Sequence, residues 1–554
     1  MAPELVDKHQ QTLDKAVQAL HERTFFAWFP ENPSPEIYGE NADKEGRGKY
    51  TSYLNHKFEE LQQQDPEQWV GQEESPYEQQ PLGIQYPYFP VNTLIARSEE
   101  AFQEWRKVKP ADRAALLVES LERVRSRFFE IAYATMHTTG QAFMMSFQAS
   151  GPHAADRALE AVAAGYEELT RFPGSAEWEK QMGKYSVRLH KSWMAVPKGI
   201  SLVIGCSTFP TWNTVPGMYA SLVTGNPVIV KPHPKAVLPI AIVIAEVQKV
   251  LAENGYNPAV CQLAVDADDH LITKELAEHR KVKLIDYTGS TEFGNYIERL
   301  PGKIVFTEKT GVNSVILDSV EDLDKVVQNL AFSVSLYSGQ MCTAPQNFFI
   351  PAPGVKAGEE LVPYEVVVQK LADAVSSLVN NPKAAPHVLG AIQNPATVER
   401  VKAGVSGRTI LSSCDFTNPL FANARTCSPV IYEVDAADKA AYSKELFGPI
   451  ILVIKTKDTA QSVELAAEMA VTYGAISCAA YTTDPAVKER IKDEMGMTGT
   501  PVSFNLTGGI YVNQNASFSD YHVTGGNPAG NASFTNPEFV VKRFTWVGFR
   551  EPAG

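Results

Sequence analysis

The 554-residue sequence predicts an α/β protein built on two parallel sheets, and three features carry that prediction. Short apolar runs of strand length alternate with helical stretches from Gly199 onward, and the alternation restarts near Ser314. At 44% hydrophobic composition the chain also holds more apolar mass than a single core takes up, so two or three domains are expected. Alternation of this kind gives parallel strands covered by helices on both faces.

Residues 1–94 have a different texture. Glu59 to Gln80 is rich in Gln, Glu and Pro, and Gln85 to Phe89 alternates aromatics with proline, which reads as a helical arm followed by an extended linker. Ser98 with Glu99 and Glu100 resembles a helix N-terminus, and Leu116, Leu117, Leu121, Val124, Phe128 and Ile131 follow at helical spacing. A first α/β domain is expected over residues 95–305, with strands at Gly199 to Ile204, Val228 to Val230, Val260 to Val265 and Leu284 to Tyr287. A second covers 306–510, with strands near Ser314 to Leu317, Gln346 to Ile350 and Ile450 to Ile454 and helices near Leu323 to Tyr337 and Tyr364 to Val379. Tyr185 to Val196 mixes strand formers with basic residues. In the return segment 511–554, Glu538 to Trp546 reads as an isolated strand able to pair away from its own domain.

The formal net charge is −14 without a concentrated Lys/Arg face, so nucleic acid is not an expected partner. Ala236 to Leu251 carries Pro239, Glu246 and Lys249, which marks a buried amphipathic helix rather than a membrane span. Met1 to Gln11 is polar, with no apolar core behind a basic start, and a cytoplasmic location is expected. Cysteines 206, 261, 342, 414, 427 and 478 show neither CxxC nor Cys/His spacing. Neither a metal site nor a disulfide framework is expected, and a thiol is available for chemistry.

Four segments can carry that chemistry. Ser338-Gly339-Gln340-Met341-Cys342 lies between a helical stretch and a strand, which puts the Cys342 thiol in a loop beside a flexible glycine. A cysteine alone is most often a small buried hydrophobe, so this thiol needs partners. Glu308 ends the apolar run Ile304 to Phe306, where α/β folds face their ligand crevice, and a carboxylate there can take a proton from water. Glu is otherwise mostly a surface residue. Thr288-Gly289-Ser290-Thr291-Glu292-Phe293-Gly294 follows a strand and opens a helix, so Gly289, Ser290 and Gly294 can cradle a diphosphate, although this is not a GxGxxG fingerprint. Lys231 ends the run Val228 to Val230 and can reach ribose hydroxyls.

In this order the segments resemble the aldehyde dehydrogenase superfamily over roughly residues 95 to 554. Lys231-Pro232 is similar to its cofactor lysine segment, Gly289 to Gly294 to its phosphate loop, Glu308 to Gly311 to its general-base segment and Gly339 to Cys342 to its nucleophile loop. Glu445-Leu446-Phe447-Gly448-Pro449 matches its Glu-x-Phe-Gly-Pro motif, and Gly509-Ile510-Tyr511-Val512-Asn513 its late Val-Asn strand. The amino-terminal arm, Lys231-Pro232-His233-Pro234 and the carboxyl tail are most similar to the stand-alone aldehyde dehydrogenases of bacterial phenylacetic acid degradation, which lack a fused hydratase domain.

The resemblance implies a nicotinamide cofactor domain, a catalytic domain and a strand flap for a homodimer or dimer of dimers, formed by Tyr185 to Val196 and Glu538 to Trp546. It implies that Cys342 attacks an aldehyde, that hydride passes to the nicotinamide and that Glu308 activates the hydrolytic water. Glu445 would hold the nicotinamide ribose and Phe447 would pack beside the ring. The implied substrate is a ring-opened, coenzyme A-linked semialdehyde. Two departures stand out. Thr208 occupies the place of the family's oxyanion asparagine, with Asn213 as a second candidate donor. Pro234, flanked by His233 and Lys235, stands where NAD-selecting members place a glutamate, so NADP is expected and NAD is possible. The alternatives are a coenzyme A-acylating enzyme, disfavoured by Glu308, and a lapsed member acting as a binding protein, which the Thr208 substitution supports.

Overall fold

Runs of Val, Ile and Leu between helices fold into sheets buried on both faces, because neither face is left polar enough to meet water. The computed structural model describes residues 2–267, 269–413, 416–511, 525–532 and 536–553. A five-stranded parallel sheet has the spatial order Ile304–Glu308, Val282–Thr288, Ile200–Ile204, Val228–Lys231, Cys261–Leu263. The chain order reverses between the second and third of these strands, which opens a ligand crevice at their carboxyl ends. The sheet is flanked by Leu238–Glu253, a helix buried along nearly its whole length.

A seven-stranded sheet runs Arg408–Leu411, Val430–Asp435, Ile450–Thr456, Asn347–Pro351, Ser314–Leu317, Cys478–Tyr481, Val502–Phe504 and is parallel except for its antiparallel first pair. The helix Tyr364–Val379 has the span expected from its periodicity. A three-stranded antiparallel sheet joins Ser175–Met182, Tyr185–Pro197 and Phe544–Pro552. Among the described residues no helix is long and apolar enough to cross a membrane.

Two expectations are corrected. Ser98 lies inside the helix Val91–Trp105 rather than at a helix start, because Pro90 precedes the first turn and Ser98 is fully buried on the packed face. Glu538 to Trp546 is not one strand: Glu538–Val541 is a short helix, and the strand begins at Phe544. The arm also contacts the first α/β domain. Glu73 is buried and accepts the Val237 and Leu238 N–H groups at 2.5 and 2.9 Å, serving the donors that open the helix Leu238–Glu253. Val512 and Asn513 of the late strand motif lie outside the described residues.

The return segment is tied to the five-stranded sheet by one buried ion pair. Arg543, fully buried, donates to both oxygens of Asp286 at 2.6 and 2.7 Å and to Ser221 Oγ at 2.7 Å. Replacing Arg543 by Met leaves the Asp286 carboxylate buried without its cation. The expected cost is about 3–5 kcal/mol, read as a lower urea midpoint. The double variant with Asp286→Asn should recover part of it.

Candidate active site

The loop that carries Cys342 is held by contacts along its length. The helix Leu323–Ser335 passes into a tight turn where Tyr337, Ser338 and Gly339 take left-handed conformations in succession, with φ of 50°, 50° and 64°. Two non-glycine residues in this region cost about 1–3 kcal/mol each, so the surroundings must impose the shape. The Tyr337 hydroxyl donates to the Thr139 carbonyl at 2.5 Å, and Ser338 Oγ to that of Gly390 at 3.2 Å. Gln340 Nε2 donates to the Ala391 carbonyl at 2.9 Å while its Oε1 accepts the Gln393 N–H. A side chain at Gly339 would bring Cβ to 2.5 Å from the Gly448 carbonyl oxygen, so only glycine lets the Glu-Leu-Phe-Gly-Pro segment approach. Asn313 donates to the carbonyls of Cys342 and Ala344 at 2.8 and 3.1 Å and accepts the Ile476 and Ser477 N–H groups.

So held, the Cys342 thiol meets Glu308, with which it hydrogen-bonds. Glu308 is 1% exposed, so it is not the surface glutamate its residue type favours. Asn213 Nδ2 donates to Glu308 Oε2 at 3.0 Å, and Asn213 Oδ1 accepts from Cys206 Sγ at 3.6 Å. Burial first, and then the Glu308 carboxylate, push the Cys342 thiol well above the ordinary thiol range. Cys206 is pushed up to about 11, mainly by burial. Glu445 is pushed up to about 8 by burial, with the Gly311 N–H and Arg400 opposing. Thr208 hydrogen-bonds Cys206 through its hydroxyl, and its carbonyl accepts from Gln141 Nε2 at 2.8 Å. Thr208 and Asn213 line the same cavity as Cys342.

That cavity, of ≈ 720 Å³, runs from Lys274 and Asp266 past Gly289, Ser290 and Lys231 to Glu308, Cys342, Glu445 and Phe447. Its donor set suits a dinucleotide. Ser290 caps the helix Thr291–Glu298 where the strand Val282–Thr288 ends, and a helix start of this kind can hold a diphosphate. A Cβ at Gly294 would strike the Lys309 side chain at 2.5 Å. Lys231 is 3% exposed rather than solvent-facing, and its ammonium lies 2.6 Å from Asp266. Asp266 is a residue that sequence reasoning missed. His233 is pushed down to about 4 by burial, so it is neutral there at physiological pH.

A second cavity of ≈ 430 Å³ reaches Cys342 from another side. Met144, Met145, Phe209, Trp212, Phe332 and Leu336 give it an apolar wall. Glu31 of the amino-terminal arm also lines it and pairs with His153 at 2.7 Å, so the arm helps to build this passage.

Cys342 thus lines both cavities, with the buried Glu308 carboxylate beside it. The chain belongs to the aldehyde dehydrogenase family, whose description matches residues 88–540. The solved structure of an NAD-dependent aldehyde dehydrogenase from Burkholderia multivorans is 44% identical, with a TM-score of 0.96 over 99% of each chain. A 1-pyrroline-5-carboxylate dehydrogenase of Bacillus subtilis is 26% identical over 75% of this chain and 78% of its own. Vanillin dehydrogenase of Corynebacterium glutamicum is 22% identical over 83% and 90%. The fold is that of the aldehyde dehydrogenases.

Proposed function

We propose that the protein oxidises an aldehyde to its carboxylic acid through a thiohemiacetal and then a thioester on Cys342. The observation that carries this reading is the Cys342 thiol hydrogen-bonded to the buried Glu308 carboxylate at the junction of the two cavities. Cys342, its thiol proton given up to water, attacks the aldehyde carbon as the thiolate. The main-chain N–H of Cys342, with the Thr208 hydroxyl or the Asn213 amide, donates to the oxyanion. When bound in the first cavity, the nicotinamide supplies the acceptor for the hydride that leaves this carbon. Glu308 then deprotonates a water, which displaces the Cys342 sulfur and releases the acid. Lys231, Gly289, Ser290 and Gly294 hold the dinucleotide, Glu445 its nicotinamide ribose, and Phe447 packs beside the ring.

Pro234 and the neighbouring Lys235 favour NADP. Asp266 is the specific observation behind NAD as a second reading, since its carboxylate neutralises Lys231 and would repel a 2′-phosphate. For the substrate, the apolar wall beside Cys342 supports the uncharged segment of a ring-opened semialdehyde, with its coenzyme A portion outside. Exposed Trp193, Met194, Trp546, Val547 and Phe549 on the three-stranded sheet support pairing with a second copy, as a homodimer or dimer of dimers in the cytoplasm.

The test follows reduced-nicotinamide absorbance with NADP and NAD offered separately against coenzyme A-linked semialdehydes, medium-chain aldehydes, vanillin and 1-pyrroline-5-carboxylate. Products are identified by mass spectrometry. Free acid, formed fastest from the coenzyme A-linked semialdehyde, is the expected result. An acyl-CoA formed only when coenzyme A is added would replace hydrolysis by acylation, and a preference for NAD would assign selectivity to Asp266.

A further inference from the structure

The helix Pro152–Thr170 carries a buried arginine against Trp212. Arg157 is 5% exposed and lays its guanidinium over the Trp212 ring, 3.7 Å from the centroid, with Nε donating to the Trp212 carbonyl at 3.3 Å. Trp212 walls the passage to Cys342, and the next residue is Asn213, whose amide grips Glu308. Burying a guanidinium so deeply is unfavourable unless opposite charge offsets it.

The groups facing Cys342 are acidic or neutral: Glu308 from its strand end, Glu445 from the Glu-Leu-Phe-Gly-Pro segment, Cys206 from the loop after Ile200–Ile204, and Tyr511. Of the cations that line the first cavity, Lys231 pairs with Asp266 and Lys309 with Glu298. The charges that act on Arg157 are, in decreasing order, Glu160 on its own helix, Glu308 and Cys342. Burial alone lowers Arg157, to about 10, which leaves it a cation at neutral pH.

We propose that Arg157 is a positioning residue for the catalytic pair: its buried cation favours the thiolate of Cys342 and anchors the Trp212–Asn213 turn against Glu308. A buried cation that acts on Cys342 offsets part of the carboxylate field that opposes ionisation of the thiol. The proposal rests on Cys342 being the nucleophile.

The test is the pH dependence of iodoacetamide alkylation in the full-length protein, with the label located by peptide mass mapping. In Arg157→Met the midpoint for Cys342 should move alkaline by about one pH unit, so that labelling at neutral pH slows about tenfold. Arg157→Lys should restore most of it, and Glu160→Gln, which removes the competing negative charge, should move the midpoint the other way. An unmoved midpoint in folded Arg157→Met overturns the proposal, as does a lysine variant as impaired as the methionine one. If Arg157→Met does not fold, an unmoved midpoint in Glu160→Gln overturns it. Wild-type label on Cys206 instead of Cys342 overturns the nucleophile assignment itself, a result distinct from any failure of Arg157.

Discussion

Cys342→Ala abolishes aldehyde-dependent reduction of the nicotinamide, with a fall in kcat on the order of a millionfold, while dinucleotide binding survives. Loss of a covalent nucleophile has effects of this size because the remaining groups cannot form the intermediate by themselves. Neither the Asn313 clamp nor the Gln340 bonds involve the Cys342 side chain, since they grip main-chain carbonyls and neighbouring residues. The alanine variant should therefore fold and bind cofactor, which fluorescence quenching by added dinucleotide checks. Cys206→Ala is the matched control: it removes a thiol from the same cavity and should retain turnover. The pH dependence follows from the direction of the thiol shift. Because burial and Glu308 raise Cys342 above the ordinary thiol range, the thiolate fraction of the free enzyme, and with it kcat/KM, should climb as pH rises from neutrality. A Cys342→Ala enzyme with measurable turnover, or a profile flat in pH, would remove the thiol from the mechanism.

Much of this site is legible in the sequence, because short-range pattern encodes it. The runs ending at Lys231, Thr288 and Glu308 are strands of one sheet, so their ends meet at one crevice. Burial is a property of the packed fold, and residue type alone pointed the other way for Lys231 and Glu308. Asp266 escaped notice for a related reason: it lies beyond a three-residue strand, and only the pairing of Val228–Lys231 with Cys261–Leu263 brings it to Lys231. Tyr337 and Ser338 disfavour the left-handed backbone they adopt, so nothing local announces the turn that presents Cys342. Arg157 reads as one charged residue on an amphipathic helix until Trp212 folds over it. The arm's composition suggested a separate piece, yet Glu73 and Glu31 work on the helix start at Val237 and on the passage wall.

Glu308→Gln separates the two halves of the reaction. The amide keeps an oxygen for the Asn213 N–H but cannot take a proton from water, so the thioester should form and then persist. Rapid mixing should show a burst of reduced nicotinamide approaching one equivalent per site. A steady state about 10²- to 10⁴-fold slower should follow, with the acyl adduct on Cys342 visible in the intact mass. Removing the carboxylate also removes the charge that opposes ionisation of the thiol, so alkylation of Cys342 should become faster at neutral pH even as turnover collapses. A variant without a burst would mean that Glu308 is needed to deprotonate the thiol as well as the water. Added coenzyme A discriminates further, because a thiol that can reach the stalled thioester releases it without a water-activating base. Recovery of turnover as acyl-CoA would show that Glu308 alone keeps this enzyme hydrolytic, whereas continued stalling would show that the passage lined by Met144, Phe209 and Trp212 excludes the coenzyme thiol from Cys342.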